Sequence, residues 1–194
     1  MSKLNRVNVI ETKTLSNDWY ILNKTTFDYL RNDGSWQRQS RETYDRGNGA
    51  TILLYSLSTQ SVILIKQFRY PTFVNGNEDG MLIETPAGLL EQKSPEDAIR
   101  EEVAEETGFA IEQPVKVLEA YMSPGSVTEK LHFFIASYES TARVSCGGGN
   151  VEEGEDIEVF ELSIAEALEQ IDSGLIKDAK TIMLLQYAAL RLFN

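Results

Sequence analysis

Glu102, Glu105 and Glu106 stand at i, i+3 and i+4, a spacing that on a helix lifts three carboxylates from one face within reach of one another. Like charges so placed repel. Glu105 and Glu106 also fall in the last turn of the segment, where the helix dipole presents partial negative charge, at a cost of roughly a few tenths of a kcal/mol each. Arg100 is the only cation between Ser94 and Phe109. A hard divalent cation such as Mg²⁺, which takes oxygen ligands, reconciles such a cluster. A solvated acidic face is the plain alternative for a Glu-rich helix. The placement at the wrong end of the dipole, and the residues just upstream, favour the metal.

The elements that must position these carboxylates carry their own signals. Ser94 can cap the helix, Pro95 suits its first position, Asp97 stands three after Ser94 as in a capping box, and Gly108 ends it. Ala98, Ile99, Val103 and the methyl of Thr107 form its core-facing side. Upstream, residues 84–90 read as a short strand broken into a Pro/Gly loop. The matching chemistry is hydrolysis of a phosphoric anhydride, whose negative charges repel an attacking oxygen until divalent ions neutralise them, orient a water and lower its pKa. Glu102 and Glu106 supply the platform, with Glu105 beside them, and the carbonyl of Ala87 at the strand break adds a neutral ligand. A base is also needed. The lone His132 lies in an apolar strand and reads as a core histidine. Glu152, Glu153 and Glu155 follow Gly147-Gly148-Gly149 on a run that can close over substrate, with a solvated loop as the alternative. The glycines themselves read as a hinge rather than a phosphate cradle.

A chain of 194 residues suffices for one core, with or without a small appendage. A formal net charge of -12 argues against nucleic acid or an anionic membrane as the main partner, so an anionic substrate must be met by metal and a few local Arg or Lys. The single Cys146 excludes an internal disulfide and fits a reducing compartment. No apolar run approaches the ~20 residues of a membrane span, which makes the cytoplasm the expected location.

Residues 7–10, 19–22 and 36–44 read as strands, the last two joined through Asn32-Asp33-Gly34. Three short strands cannot bury a core alone and must pack on the main domain or on a second subunit. Residues 50–55, 61–68, 115–121 and 131–138 read as further strands, residues 70–80 as a long polar loop, and 152–162 as an acidic run entering a strand. Two helices close the chain, one opened by Ser163 and Glu166, the other from about 179 to 192 with Ile182, Leu185, Ala189 and Leu192 facing the core. The expected fold is α/β: an α/β/α sandwich with a mixed sheet, preceded by a small N-terminal antiparallel β unit.

From Gly88 to Phe109, the pattern G-x5-S-x6-E-E-V-x-E-E-T-G-F resembles the Nudix box, the loop-helix-loop signature of Mg²⁺-dependent hydrolases acting on nucleoside diphosphates linked to another group. The family pattern is one residue longer, with Glu where Lys93 or Ser94 falls and Arg where Glu101 stands. Gln67-Phe68-Arg69, Glu84-Thr85-Pro86-Ala87-Gly88 and Ser123-Pro124-Gly125 are similar to the nucleoside diphosphate-sugar branch, which includes ADP-ribose pyrophosphatases. The stretches 44–55, 74–78, 121–125 and 155–159 resemble its GDP-mannose hydrolases, and this likeness spans nearly the whole chain. The resemblance implies a Nudix domain over 46–194 and a dimerising, strand-exchanging unit over 1–45. It implies Mg²⁺, with Mn²⁺ as a substitute, on the Ala87 carbonyl, Glu102, Glu106 and Glu155. Glu153, or its neighbour Glu152, would be the base, with Glu105 as a second catalytic carboxylate. Trp19, Arg41, Glu42, Arg69, Leu89, Glu129, Glu153 and Lys180 would contact a nucleotide sugar. A non-catalytic nucleotide-binding module is the reading from another class.

Overall fold

The structure is a computed structural model that describes residues 6–193 apart from 140 and 142, and apart from the side chain of Glu153. The chain divides into two compact units, one made of residues up to Asn48 with Tyr121–Lys130, the other of Gly49–Ala120 and Leu131–Asn194.

In the first unit, β1 (Val7–Asn17), β2 (Ile21–Leu30) and β3 (Trp36–Asp45) form an antiparallel meander. The turn at Asn32-Asp33-Gly34 forms as its residues dictate: Asp33 accepts from the Ser35 N–H at 2.9 Å, and Gly34 takes φ +83°. Two strands differ from expectation. The first runs on to Asn17, held by polar pairs such as Thr14 Oγ1 donating to Asn23 at 2.9 Å, which leave no apolar alternation to read. The second starts at Ile21, so Trp19 and Tyr20 lie in the turn before it. Residues 121–130 join β3 through Tyr44, whose N–H donates to Ser126 O at 2.8 Å and whose carbonyl accepts from Thr128 N–H at 3.1 Å. Every residue of β1 is exposed.

The second unit is built on a mixed sheet. Its strands are β4 (Gly49–Ser56), β5 (Ser61–Phe68), β6 (Met81–Glu84), β7 (Ala87–Leu89), β8 (Val115–Tyr121), β9 (Lys130–Ser137) and β10 (Glu158–Ser163). The order is β10-β5-β4-β9-β8, with β4 and β9 parallel. Between β4 and β5 the sheet forks: β6 pairs with β5, β7 pairs with β4, and Thr85-Pro86 forms the crossing. Residues 70–80, expected as loop, open with a short helix α1 (Tyr70–Val74), favoured by Pro71 in its first turn and stopped at Asn75-Gly76.

Helix α2 (Pro95–Thr107) covers one face of the sheet. Its Ile99 and Val103 share a core with Ala50, Ile52 and Leu54 of β4 and Phe134 of β9. Burial of about 1.5–3 kcal/mol for each such side chain outweighs the dipole cost of the acidic last turn. Helices α3 (Ile164–Asp172) and α4 (Ala179–Arg191) follow β10. Thr51, which alternation turns to the other face of β4, joins a hydroxyl chain with Thr85 and Thr181 of α4, so α4 lies opposite α2 and the α/β/α sandwich is complete. That chain also shifts the buried side of α4. Thr181, Leu184, Leu185 and Ala188 are buried, while Ile182, Ala189 and Leu192, expected inward, are only partly so. The capping box of α3 is present in both directions, Ser163 N–H to Glu166 Oε2 at 3.0 Å and Glu166 N–H to Ser163 Oγ at 3.2 Å. Among the described residues no helix is long and apolar enough to cross a membrane.

Candidate active site

Helix α2 is fixed at both ends, which sets where its carboxylates point. Ser94 Oγ accepts from Asp97 N–H at 3.1 Å, and Gly108 closes the helix at φ +74°. The carbonyls left over at the C-terminus are met by the glycine segment. Gly148 N–H donates to Glu106 O at 2.9 Å and Gly149 N–H to Glu105 O at 3.1 Å. A β-carbon at Gly147 would stand 2.5 Å from the Glu106 carbonyl, so this approach requires glycine. The hinge expected here is therefore a clamp. Beyond it the chain folds back on itself, with Glu155 N–H donating to Asn150 O at 3.2 Å and Ile157 N–H to Gly148 O at 3.1 Å. The acidic run is thereby tied to the end of α2.

Glu106 is 1% exposed. Its Oε2 accepts from Ala87 N–H at 3.0 Å, and its Oε1 has no hydrogen-bond partner among the described residues. Burial pushes its carboxyl well above the usual range, and the negative charges of Glu102 and Glu155 add to the rise, against the Ala87 hydrogen bond. Glu102 presses on the loop: a β-carbon at Gly88 would overlap its carboxyl group. Glu155, partly buried, accepts from Asn150 N–H at 2.9 Å. The fold thus gathers Glu102, Glu106 and Glu155 at the crossing that carries Ala87, and leaves the Glu105 side chain exposed. Among the described residues no three His, Cys, Asp or Glu side chains are drawn together as a finished metal cage. The donors nonetheless fit a hard divalent cation, being all oxygen, mutually repellent, and including one buried oxygen that lacks a partner.

Beside them, Glu84 ends β6, also 1% exposed. Arg69 grips it in a fork, Nε to Oε1 and Nη2 to Oε2 both at 2.9 Å, and Lys180 Nζ donates to Oε2 at 2.7 Å. Burial alone would raise this carboxyl; Lys180 and Arg69 outweigh it and hold its pKa at about 2. Lys180 is seated by the start of α4, where Asp178 caps the helix, lies 3.0 Å from Lys180 Nζ, and accepts from Thr181, whose Oγ1 in turn accepts from Thr85 N–H at 2.7 Å. Arg69 and Lys180 meet on this carboxylate. Their charge is shared with Glu84 and Asp178, partners that sequence reasoning left without a role. A lone Glu ending the apolar run Met-Leu-Ile was the available signal.

Residues 45–182 match the model of the NUDIX domain, and residues 6–44 match that of the GDP-mannose pyrophosphatase NudK N-terminal domain. This chain belongs to the Nudix family. It is 55% identical to a GDP-mannose pyrophosphatase of Pectobacterium atrosepticum over 95% of each chain, and 53% identical to one of Shigella flexneri over 94% of each. A crystal structure of an ADP compounds hydrolase shares the fold, with a TM-score of 0.74 at 15% identity over 100% of both chains. Nudix hydrolases generally use divalent metal ions.

Two of the positions at which the chain departs from the Nudix box meet in one interaction. Lys93 Nζ bonds Glu101, an ion pair of reversed polarity if Lys93 rather than Ser94 takes the place of the family's Glu. Both side chains are about half exposed, so the pair is worth roughly 0–1 kcal/mol and its inversion leaves the Nudix helix intact. Arg100 is structural too, donating to Glu112 O at 3.0 Å and to Asp97 at 2.8 Å. Leu89 lies in β7 opposite Gly49. His132 is buried, as expected of a core histidine, with Nδ1 3.4 Å from Glu119. Val151–Glu153 forms a 3₁₀ turn capped by Asn150, with Glu152 exposed; the side chain of Glu153 lies outside the described residues.

Trp19, Arg41, Glu42 and Glu129 belong to the first unit. Trp19 is 81% exposed and meets Tyr20 edge-on, with centroids 6.2 Å apart. Arg41 donates to Ser40 O at 2.8 Å, Glu42 is exposed opposite Lys24, and Glu129 pairs with Arg46 at 3.6 Å.

Proposed function

We propose that this Nudix protein hydrolyses GDP-mannose to GMP and mannose 1-phosphate, with Mg²⁺ as its ion and Mn²⁺ as a substitute. The observation that carries the substrate is likeness over nearly the full length, N-terminal unit included, to proteins named GDP-mannose pyrophosphatase. What supports the chemistry is the buried, half-satisfied carboxyl of Glu106 among Glu102, Glu155 and the Ala87 peptide. Those three carboxylates and the Ala87 carbonyl would hold the ion, which when bound offsets the charge of the diphosphate and acidifies a water. Glu153, on the clamped loop, takes the proton, with Glu105 as a second carboxylate nearby on α2. Arg69 and Lys180 face the diphosphate, with Leu89 beside it. Trp19, Arg41, Glu42 and Glu129 are assigned to base and sugar on the family resemblance.

A screen of nucleoside diphosphate sugars with and without Mg²⁺, with the products identified, tests this. GDP-mannose should be cleaved fastest and only with the ion. Preference for ADP-ribose would overturn the substrate, and tight binding without turnover would leave a sensor rather than an enzyme. Gly88→Ala gives a sharper check on the site. Its β-carbon displaces the Glu102 carboxyl, and a misplacement of about 1 Å costs on the order of 10²-fold in rate. The Mg²⁺-dependent kcat/KM should fall by about that factor while the circular dichroism is unchanged; wild-type kinetics would remove Glu102 from the site.

The partner we assign is a second copy of the chain, joined through the N-terminal unit. Val7, Val9, Ile10, Leu15, Ile21 and Trp36 are exposed on a sheet too small to bury them. Light scattering that gives the monomer mass would refute it. We assign the protein to the cytoplasm, a reading that the substrate class and the exposed thiol of Cys146 support and that recovery in a periplasmic fraction would contradict.

A further inference from the structure

Gln67 has a carboxamide that the fold leaves unexplained. It is 5% exposed, its Nε2 is buried, and that nitrogen has no hydrogen-bond partner among the described residues. A buried donor without an acceptor destabilises the fold that contains it, so its retention calls for a ligand.

Its position says which ligand. Leu54 and Ile63 are opposite one another and share the α2 core, so alternation along β5 turns Ile63, Ile65 and Gln67 to the α2 face. Ile65 is opposite Glu84 and Gln67 is opposite Leu82, one step from the carboxylate that Arg69 and Lys180 hold. On the other side of β5 the last pair with β10 is Lys66 with Glu158, which brings the loop that carries Glu155 alongside Gln67. On the same face, Glu106 presents an unpartnered oxygen. An orphaned donor and an orphaned acceptor therefore lie where β5, the end of β6, α2 and the clamped loop converge. Gln170, the other glutamine with a buried unpartnered atom, is on α3 and lacks that company.

We infer that Gln67 is a substrate-binding residue, its amide N–H donating to a phosphoryl oxygen of the bound diphosphate between Arg69 and the carboxylates. The final torsion of a glutamine is broad and roughly two-fold, and no hydrogen bond among the described residues holds Nε2 of this one, so the N–H can turn to the ligand. A neutral donor suits the place. A third cation beside Arg69 and Lys180 would also attract the carboxylates, whereas an amide meets an anion without neutralising them. This inference rests on the proposed reading of the site.

Gln67→Leu tests it, because leucine keeps the bulk and removes the donor. In metal-free buffer the variant should melt no lower than wild type, since Nε2 has no hydrogen bond among the described residues to lose. With Mg²⁺ present, its affinity for a GDP-mannose analogue with methylene in place of the bridging oxygen should fall about tenfold or more by calorimetry, and kcat/KM should fall alongside. Unchanged analogue affinity overturns the inference. So does a lower melting temperature in metal-free buffer with analogue binding preserved, which would mark a structural amide held by buried water. If wild type does not take the analogue, the reading of the site falls, and the role of Gln67 with it.

Discussion

Glu106→Gln is expected to abolish turnover and, in metal-free buffer, to raise the melting temperature. The two effects share one cause. Without an ion, the fold holds a carboxyl that is 1% exposed, satisfied at one oxygen only, and faced by the charges of Glu102 and Glu155. Glutamine keeps an acceptor for Ala87 N–H, removes the repulsion, and turns an N–H donor toward the neighbouring carboxylates. The gain is about 1 kcal/mol, or about 2–4 °C for a chain of this length. Removing a ligand to the ion forfeits several kcal/mol of transition-state stabilisation, so kcat should fall by about 10³-fold or more. Adding Mg²⁺ should reverse the stability order, because an ion that binds only the native state stabilises wild type by mass action and the variant far less. A variant that melts below wild type without metal, or that turns over within tenfold of it, contradicts this account.

The Glu106 carboxyl is raised in the fold above its ordinary value of 4.5, so its contribution to stability is full below pH 4.5 and is lost as pH rises through the folded value. Metal-free wild type should therefore lose melting temperature above pH 4.5 relative to Glu106→Gln, and Mg²⁺ should remove that loss.

How much of this was legible in the sequence depends on the range of the interactions involved. Helix α2 was readable because Ser94, Pro95, Asp97 and Gly108 act within one turn of where they stand. Ser163 and Glu166 opened α3 for the same reason. The clamp was not readable, since Gly148 and Gly149 have meaning only against carbonyls some forty residues earlier. Nor was the buried side of α4, where Thr181 takes an inward position because Thr85 and Thr51 offer its hydroxyl partners. The length of β1 escaped a reading based on apolar alternation, because threonine and asparagine pairs hold much of it. In the site, the carboxylates of α2 announced themselves by mutual repulsion. Glu84 did not, because its role appears only once Arg69 and Lys180, 96 residues apart from it in the case of the lysine, close on its two oxygens.

Glu84→Gln is the second large effect expected, and it separates support from chemistry. In wild type, Arg69 and Lys180 are held by one buried carboxylate, and removing a partner from a buried ion cluster costs about 3–5 kcal/mol because the remaining charges go unmatched. The melting temperature at pH 7 should drop by roughly 10 °C. The size of this drop must also depend on pH. A carboxyl lowered from 4.5 to about 2 contributes stability that is full above pH 4.5 and is lost as pH falls through 2. That shift is worth about 3 kcal/mol, so the gap between wild type and variant in urea unfolding should shrink to about half by pH 3 and vanish below pH 2. Asp178 limits how far the cations can relax, because it still pairs with Lys180 at 3.0 Å in the variant. Arg69, with no such second hydrogen-bond partner among the described residues, is then free to swing toward the diphosphate or away from it. If Glu84 serves to aim Arg69, KM for GDP-mannose should rise several-fold in the variant even at temperatures where it is fully folded. If KM is unchanged and only stability falls, Glu84 is a brace for the fork of the sheet, and the substrate contact assigned to Arg69 is wrong.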